Sequence, residues 1–491
     1  MEYKPQGAKP KIKPRLIIHG GAGNITPENL PPPKYKAYRE ALLSIASPPC
    51  SPNLTTYLSA NECLPLGTQI TKANAYMTTP RKTSGGGGGS SSGLSLPSAL
   101  DAACHALVLL EDNPLFNSGR GAVFTRDGTN ELEASVMVSR GRAKRCAGVM
   151  GLAHVRNPVL LAKAILERGE RDLWGNDDDG DDGDGDDGEL DVPSAQGHAQ
   201  IHGRAAEQLA ARYGLQLVEA GYFWTRARWD EHVRGLEREK KEKEKEKGAR
   251  GATATATWSA DEFLPQGTCG AVALGGDGAL CVATSTGGMT NKLSGRIGDT
   301  PVPGAGFWAE EWTEDGDPTG AAAATAAAAP WWMGGGGVVV SDTLRGLMAD
   351  CLPTPFVYSP LRQSESAPRR TTQRSVAISG TGNGDSFLRI NAVRTVAAMA
   401  RFQPVSSATA LTKVVGDGGE LQKSAGARWG KTGEGEGGMI GVESVVVRDV
   451  DGRVVEVRSE ILQDFNAGGM FRAWINDDGE AEYRILRGEK W

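Results

Sequence analysis

The chain has 491 residues, 23% of them charged, and a net charge of −6. That balance argues against nucleic acid as a partner, which needs a strongly basic surface, and no apolar run reaches the ~18 residues of a membrane span. Seven cysteines without a C-x-x-C pair argue against both a disulfide framework and a structural zinc site. Length alone allows two or three domains. Long stretches have no apolar periodicity, however, so one packed domain of roughly 300 residues is expected. The polar segment 1–13 lacks the apolar core of a secretory signal, and a cytoplasmic protein is expected.

In chain order, Arg15 to His19 (RLIIH) reads as a buried strand that leads into a tight loop, Gly20 to Gly23. The stretch from about Pro48 to Gly93, with its tract Gly85 to Gly89, reads as an insertion without a core. Ser98 caps a helix whose apolar side carries Leu100, Ala103, Leu107 and Leu110, and Asn113-Pro114 ends it. Glu131 to Val138 reads as a strand, and Pro158 to Arg168 as a helix with Leu161, Ile165 and Leu166 on one side. Asn176 to Asp191 is mostly Asp and Gly, fails the calcium-loop frame and reads as a solvated linker. Ile201 to Tyr213 has helical spacing. In Glu237 to Lys247, Glu and Lys alternate. Like charges then stand at i,i+4, for example Lys241 with Lys245, which predicts disorder. Trp308 to Arg370 is another loose stretch, rich in Ala, Gly and Pro.

Between the last two lies the informative part. Thr268 to Leu274 and Ala279 to Thr286 read as strands joined by the turn Gly275-Gly276-Asp277-Gly278. If Leu274 pairs with Ala279, Thr268 stands opposite Ser285 and beside Thr286. A threonine hydroxyl is a poor nucleophile and needs a base, and no histidine lies in this motif. A threonine at a chain end supplies its own base, because an α-amine titrates near ~7.7–8.0. That arrangement requires cleavage between Gly267 and Thr268. An ordinary core hairpin is the competing reading of these residues alone.

Further motifs share the pattern: Ile18 to Gly23 (IHGGAG), Asn113 to Val123 (NPLFNSGRGAV), Ala153 to Val159 (AHVRNPV), Gly267 to Gly306, Thr381 to Phe387 (TGNGDSF) and Asn466 to Arg472. With these in order, the chain resembles the isoaspartyl peptidase/L-asparaginase family, the plant-type asparaginases among the N-terminal nucleophile hydrolases.

The resemblance implies an α+β fold, a four-layer αββα sandwich, here carrying long low-complexity insertions at about 48–93, 176–191, 237–258 and 310–372. It implies a precursor split into chains 1–267 and 268–491, which stay together as an α–β heterodimer and assemble as a dimer of heterodimers. The substrates would be L-asparagine and β-aspartyl dipeptides. Thr268 would be the nucleophile, Thr286 would tune it, and Thr381 with the Gly382 amide would hold the oxyanion. Arg296 and Asp299 would grip the α-carboxylate and α-amino group, as a guanidinium and a carboxylate suit these charges, with Gly384 lining the pocket. Asn117 would assist self-cleavage at Gly267. No cofactor is implied for catalysis. A structural sodium ion is implied, on backbone carbonyls of Leu110, Glu111, Asn113, Phe116, Ser118 and Arg120.

His19 reads as a structural histidine. Three departures stand out: Cys269 where Val is usual, Asp385 where Glu is commoner, and Met137-Val138-Ser139 without the usual Asp-Gly. Glycosylasparaginases and threonine aspartases share some of these motifs but favour Asp-Thr at the cut, where this chain has Gly-Thr. An unprocessed binding scaffold is the reading from another class, and the joint presence of Thr268, Thr286, Arg296, Asp299 and Thr381 argues against it.

Overall fold

The structure, a computed structural model, describes residues 11–43, 69–82, 94–140, 144–174, 197–248, 267–315, 370–403 and 405–488. In chain order β1 (Arg15–Gly23) leads to α1 (Pro32–Leu43), α2 (Gln69–Thr78), a short ladder of β2 (Arg81–Lys82) with β3 (Leu94–Ser95), and α3 (Ala99–Glu111). Then come β4 (Leu132–Val138), β5 (Cys146–Leu152), α4 (Pro158–Trp174), β6 (Gln200–His202), α5 (Gly203–Arg212) and α6 (Arg226–Gly248). The strands β7 (Cys269–Leu274), β8 (Leu280–Thr286), β9 (Phe307–Asp315) and β10 (Thr371–Gly382) precede α7 (Gly384–Ile390), α8 (Ala392–Phe402), α9 (Ser407–Val415) and α10 (Glu420–Lys423). The chain closes with β11 (Gly437–Arg448), β12 (Val454–Phe465), β13 (Gly469–Ile475) and β14 (Ala481–Leu486).

An eight-stranded sheet has the order β14-β13-β1-β7-β8-β4-β5-β6, and a four-stranded sheet the order β12-β11-β10-β9. All neighbours in the larger sheet are antiparallel except β5 and β6. Period-two alternation sends successive residues to opposite faces. Leu16 and Ile18, Ala271 and Ala273, and Ala134 and Val136 join one core with residues of α1 to α5. Ile17, Val272, Val282 and Met137 join a second core with Ala377, Ile440 and Val442 of the smaller sheet. Both faces of the central strands are thus apolar, which is why β7 carries no exposed residue.

Two compact units divide the chain. The larger contains Ile12–Glu311, Ser375–Ser444 and Ser459–Trp491. The smaller contains Trp312–Arg374 and Val445–Arg458 with the N-terminal residues. Within the smaller unit, Trp312 Nε1 donates to Glu314 Oε1 at 2.7 Å and the Arg374 guanidinium lies 5.2 Å from the Trp312 ring centre.

Several expectations meet their residues. Ser98 caps α3 through a reciprocal box with Asp101, and Ala103, Leu107 and Leu110 are buried. Leu161, Ile165 and Leu166 of α4 are buried as well.

Others are corrected. Gly20 to Gly23 continues β1 instead of forming a loop, because Ala22 and Gly23 pair with Met470 and Gly469 across a bulge. The 48–93 stretch, expected to have no core of its own, contributes Ala73 and Met77 of α2 to the main core. Ile201 belongs to β6, held parallel to β5, and the helix starts after it. Glu237 to Lys247 is helical, the last turns of α6. Glu and Lys are strong helix formers, their alternation also sets opposite charges at i,i+3, and Glu239 is ion-paired to Arg126 at 2.7 Å. Trp308 to Asp315 is strand, part of β9, with Phe307, Ala309 and Trp312 buried. The linker at 176–191, the glycine tract 85–89 and most of 310–372 lie outside the described residues.

Among the described residues, Cys104, Cys146, Cys269 and Cys281 are free thiols, and no helix is long and apolar enough to cross a membrane.

Candidate active site

The β7–β8 hairpin sets the geometry. Leu274 pairs with Leu280 and Cys269 with Ser285, one residue away from the register expected from sequence. The turn explains the shift. Gly275 N donates to Ala279 O at 2.9 Å and Gly278 has φ +85°, so the loop closes on three residues with a glycine in the left-handed position. Continued past Cys269, this register aligns Thr268 with Thr286 rather than with Ser285.

Thr268 is 6% exposed. Its Oγ1 lies 2.9 Å from Thr300 Oγ1. Thr286 Oγ1 accepts from Gly288 N at 3.0 Å and from Asn117 Nδ2 at 3.4 Å. Asn117 Nδ2 also donates to Gly288 O at 2.7 Å, and its Oδ1 accepts Val123 N at 3.0 Å. The side chain of Asn117 therefore ties the loop after α3 to the end of β8.

Gly267 sits in a space that admits no side chain. A methyl group there would meet Gly21 Cα at 2.4 Å, Thr381 Oγ1 at 2.6 Å and Ala22 N at 2.7 Å. Thr381 is fully buried at the end of β10, and its Oγ1 accepts Ala22 N at 3.3 Å. Gly382 has φ +143°, and a side chain there would strike Glu436 O at 2.4 Å.

His19 is buried beneath this junction with Nε2 2.7 Å from Ser379 Oγ. Burial pushes its pKa down to about 3, against a backbone interaction with Thr268, so the ring is neutral at cellular pH.

Arg296, Asp299 and Gly384 meet at one point. A methyl group on Gly384 would lie 2.5 Å from Asp299 Oδ1 and 3.1 Å from Arg296 Nη2. Arg296 Nη2 donates to Asp385 Oδ1 at 3.0 Å, which gives that departure from the usual residue a partner. Asp299 is buried and its Oδ2 has no hydrogen-bond partner. Burial pushes its carboxyl up to about 7. Its own backbone amide and Arg296 oppose the shift, while Glu133 and Asp385 add to it.

Three neighbours were not singled out from sequence. Thr300 follows Asp299 directly, and that adjacency to the Arg/Asp pair was its only signal. Glu133, opposite Thr286 in the β4–β8 ladder, accepts Gly298 N on both oxygens at 3.2 Å and pairs with Lys292 at 3.6 Å. Burial pushes Glu133 up and Lys292 down, each against the charge of the other. An acidic residue inside the apolar run Leu132–Val138 was the available sign. After Met137, where the usual Asp-Gly is missing, Ser139 N donates to Leu280 O at 2.9 Å and Leu280 N to Ser139 Oγ at 3.0 Å.

The family described as Asparaginase matches residues 94–176 and 192–327. The isoaspartyl peptidase of Escherichia coli (strain K12) is 31% identical over 377 residues, which cover 77% of this chain and 78% of that protein. This chain belongs to the isoaspartyl peptidase/L-asparaginase family. The plant-type L-asparaginase of Pyrococcus furiosus is 28% identical over 296 residues, covering 60% of this chain and 70% of that protein. The isoaspartyl peptidase/L-asparaginase of Rattus norvegicus is 35% identical over 213 residues, covering 43% and 50%. The family match spans Asn117, Thr268, Thr286, Arg296 and Asp299. Thr381, Gly382 and Gly384 lie beyond it and reach the same region through β10 and α7.

Proposed function

We propose that this chain cuts itself between Gly267 and Thr268 and then hydrolyses the β-amide of L-asparagine and β-aspartyl peptide bonds. One observation carries the reading. Gly267 is pressed against Gly21 and Thr381, while the hydroxyl of the next residue faces Thr300 beside the Arg296–Asp299–Gly384 point. A peptide bond with no room for a side chain, the hydroxyl that follows it and the residue next to Asp299 are thus neighbours, which supports the reading.

In the first reaction Thr268 Oγ1 adds to the Gly267 carbonyl carbon and the carbon–nitrogen bond breaks. The nitrogen leaves with the hydroxyl proton and becomes the free Thr268 amine. Water then hydrolyses the ester and leaves a Gly267 carboxylate.

In turnover that amine, titrating near ~7.7–8.0, takes the proton from Oγ1. The oxygen attacks the β-carbonyl, the Thr268 amine passes that proton to the departing nitrogen, which leaves as ammonia or as the amine of the next residue, and water releases aspartate from the β-aspartyl ester. Thr381 Oγ1 and Gly382 N–H hold the oxyanion, donors commonly worth ~10²–10³-fold each. Thr286, oriented by Asn117, tunes Thr268. Arg296 takes the α-carboxylate. Asp299, whose Oδ2 has no hydrogen-bond partner, takes the α-ammonium.

The apolar cores on both faces of the eight-stranded sheet, together with Phe387 and Val393 packed against Gly380 of β10, support a four-layer αββα arrangement. The two cut pieces form an α–β pair.

A sodium ion suits the loop after α3 by donor chemistry. Among the described residues no group of three or more His, Cys, Asp or Glu forms a metal cluster, but hard cations also take backbone oxygens. The carbonyls of Asn113, Phe116 and Ser118 each accept one loop amide, leaving a lone pair each. A methyl group at Gly119 would meet Glu111 O at 2.3 Å, and one at Gly121 would meet Phe116 O at 2.0 Å. Leu110, Glu111, Asn113, Phe116, Ser118 and Arg120 would hold the ion, which would stiffen the loop that carries Asn117.

Intact mass of the purified protein tests the reading. Two fragments meeting at Gly267/Thr268 are expected, and Thr268→Ala should give one uncut chain that releases no ammonia from asparagine. Ammonia release by Thr268→Ala would exclude this nucleophile.

A further inference from the structure

We infer that Thr300 is a positioning residue for the first cut, holding the Thr268 hydroxyl before any amine exists to activate it. The inference rests on the self-cleaving reading above.

In the uncut chain the Thr268 nitrogen is an amide and cannot serve as a base. The hydroxyl oxygen must still be held towards the Gly267 carbonyl, and an untethered threonine side chain can turn about its Cα–Cβ bond between staggered rotamers. The hydroxyl oxygens named from sequence accept other donors: Thr286 Oγ1 from Gly288 N and Asn117 Nδ2, Thr381 Oγ1 from Ala22 N. The group at 2.9 Å from Thr268 Oγ1 is the hydroxyl of Thr300.

Thr300 is itself firmly held. It is fully buried. Its carbonyl accepts Ser135 Oγ at 2.7 Å and Thr284 Oγ1 at 3.2 Å. On its far side Gly306 packs so closely that a methyl group there would lie 2.9 Å from Thr300 Cα. These contacts come from β4, β8 and the loop before β9, and they pin the backbone of the residue that follows Asp299. The nucleophile and the ammonium-binding carboxylate are therefore referenced to one rigid turn.

Thr300 neither gains nor loses a proton in this scheme, since the proton that leaves Oγ1 ends on the released Thr268 nitrogen. Its contribution is orientation, which converts a freely rotating group into one near its attack geometry. After the cut the new amine takes over as the partner of Oγ1, so the need for Thr300 falls.

The test compares freshly translated precursors of wild type, Thr300→Val, Thr300→Ala and Thr300→Ser, following fragment formation on denaturing gels and asparagine turnover per cut molecule. Without the hydroxyl, cutting should slow by about tenfold, the effect of one neutral hydrogen bond, while turnover per cut molecule changes by less than about threefold. Thr300→Ser should cut nearly as fast as wild type. Thr300→Ala covers the case in which valine does not fold. Wild-type cutting rates in both hydroxyl-free variants would overturn the inference. A serine variant as slow as valine would reduce the role to packing and also overturn it, as would equal losses in cutting and turnover. A wild-type chain that never cuts would overturn the self-cleaving reading itself, a result distinct from the others.

Discussion

At Asp299 a carboxylate is buried with one oxygen unpartnered, in a place where a purely structural residue would be hydrogen-bonded. Its pKa, about 7 in the folded chain, lies above the ordinary 3.8. The folded state therefore holds that proton more tightly than the unfolded chain does. The resulting stabilisation is complete below about pH 3.8 and is lost as pH rises through about 7. Asp299→Asn should accordingly gain stability relative to wild type as pH rises from about 3.8 to about 7, and gain no more above that, read from urea midpoints. A difference that stays flat with pH would show that the carboxylate is not held in this unfavourable state. That Arg296 and Asp299 lie near one another, both close to Gly384, was expected from residue type and spacing. The contacts of Glu133, Lys292 and Thr300 were not, because each acquires its partner from a strand or turn distant in sequence.

Among the elements, the β7–β8 hairpin shows how one glycine sets the site. Gly278 at φ +85° closes a three-residue loop, and the register that follows aligns Thr268 with Thr286. Gly278→Ala would put a Cβ in the left-handed region and 3.0 Å from Ile12 Cδ1. It should cost about 1–2 kcal/mol of stability, measured by chemical denaturation. An unchanged midpoint would mean that the turn tolerates another geometry. Both strands were readable from their apolar residues and turn chemistry. The register was not, since three- and four-residue loops share the same Gly-Gly-Asp-Gly sequence. In α6 local charge repulsion suggested disorder, and helix propensity with docking outweighed it. The docked part is anchored by Arg228, whose Nε donates to Gly121 O at 2.7 Å and Nη2 to Leu115 O at 3.0 Å.

For the whole molecule, the strand order decides what happens to the pieces after a cut at Gly267. The first piece supplies β1, β4, β5 and β6 to the large sheet, and the second supplies β7, β8, β13 and β14. The two interleave, with β1 between β13 and β7, and β4 beside β8. Separation would break three ladders and open both cores, so the pieces should co-elute in native size exclusion and part only in denaturant. Fragments that separate without denaturant would contradict this interleaving.

The sequence by itself determined the candidate chemistry, because hydroxyls, the Arg/Asp pair and the glycines that give backbones room are properties of residue type and local order. It also determined most strands and helices, through apolar periodicity and the Ser98 cap. Only the tertiary structure decided the hairpin register, the hydroxyl that faces Thr268 and the burial of Asp299. Each depends on strands that meet across long stretches of chain, and no local pattern encodes which residue will lie opposite.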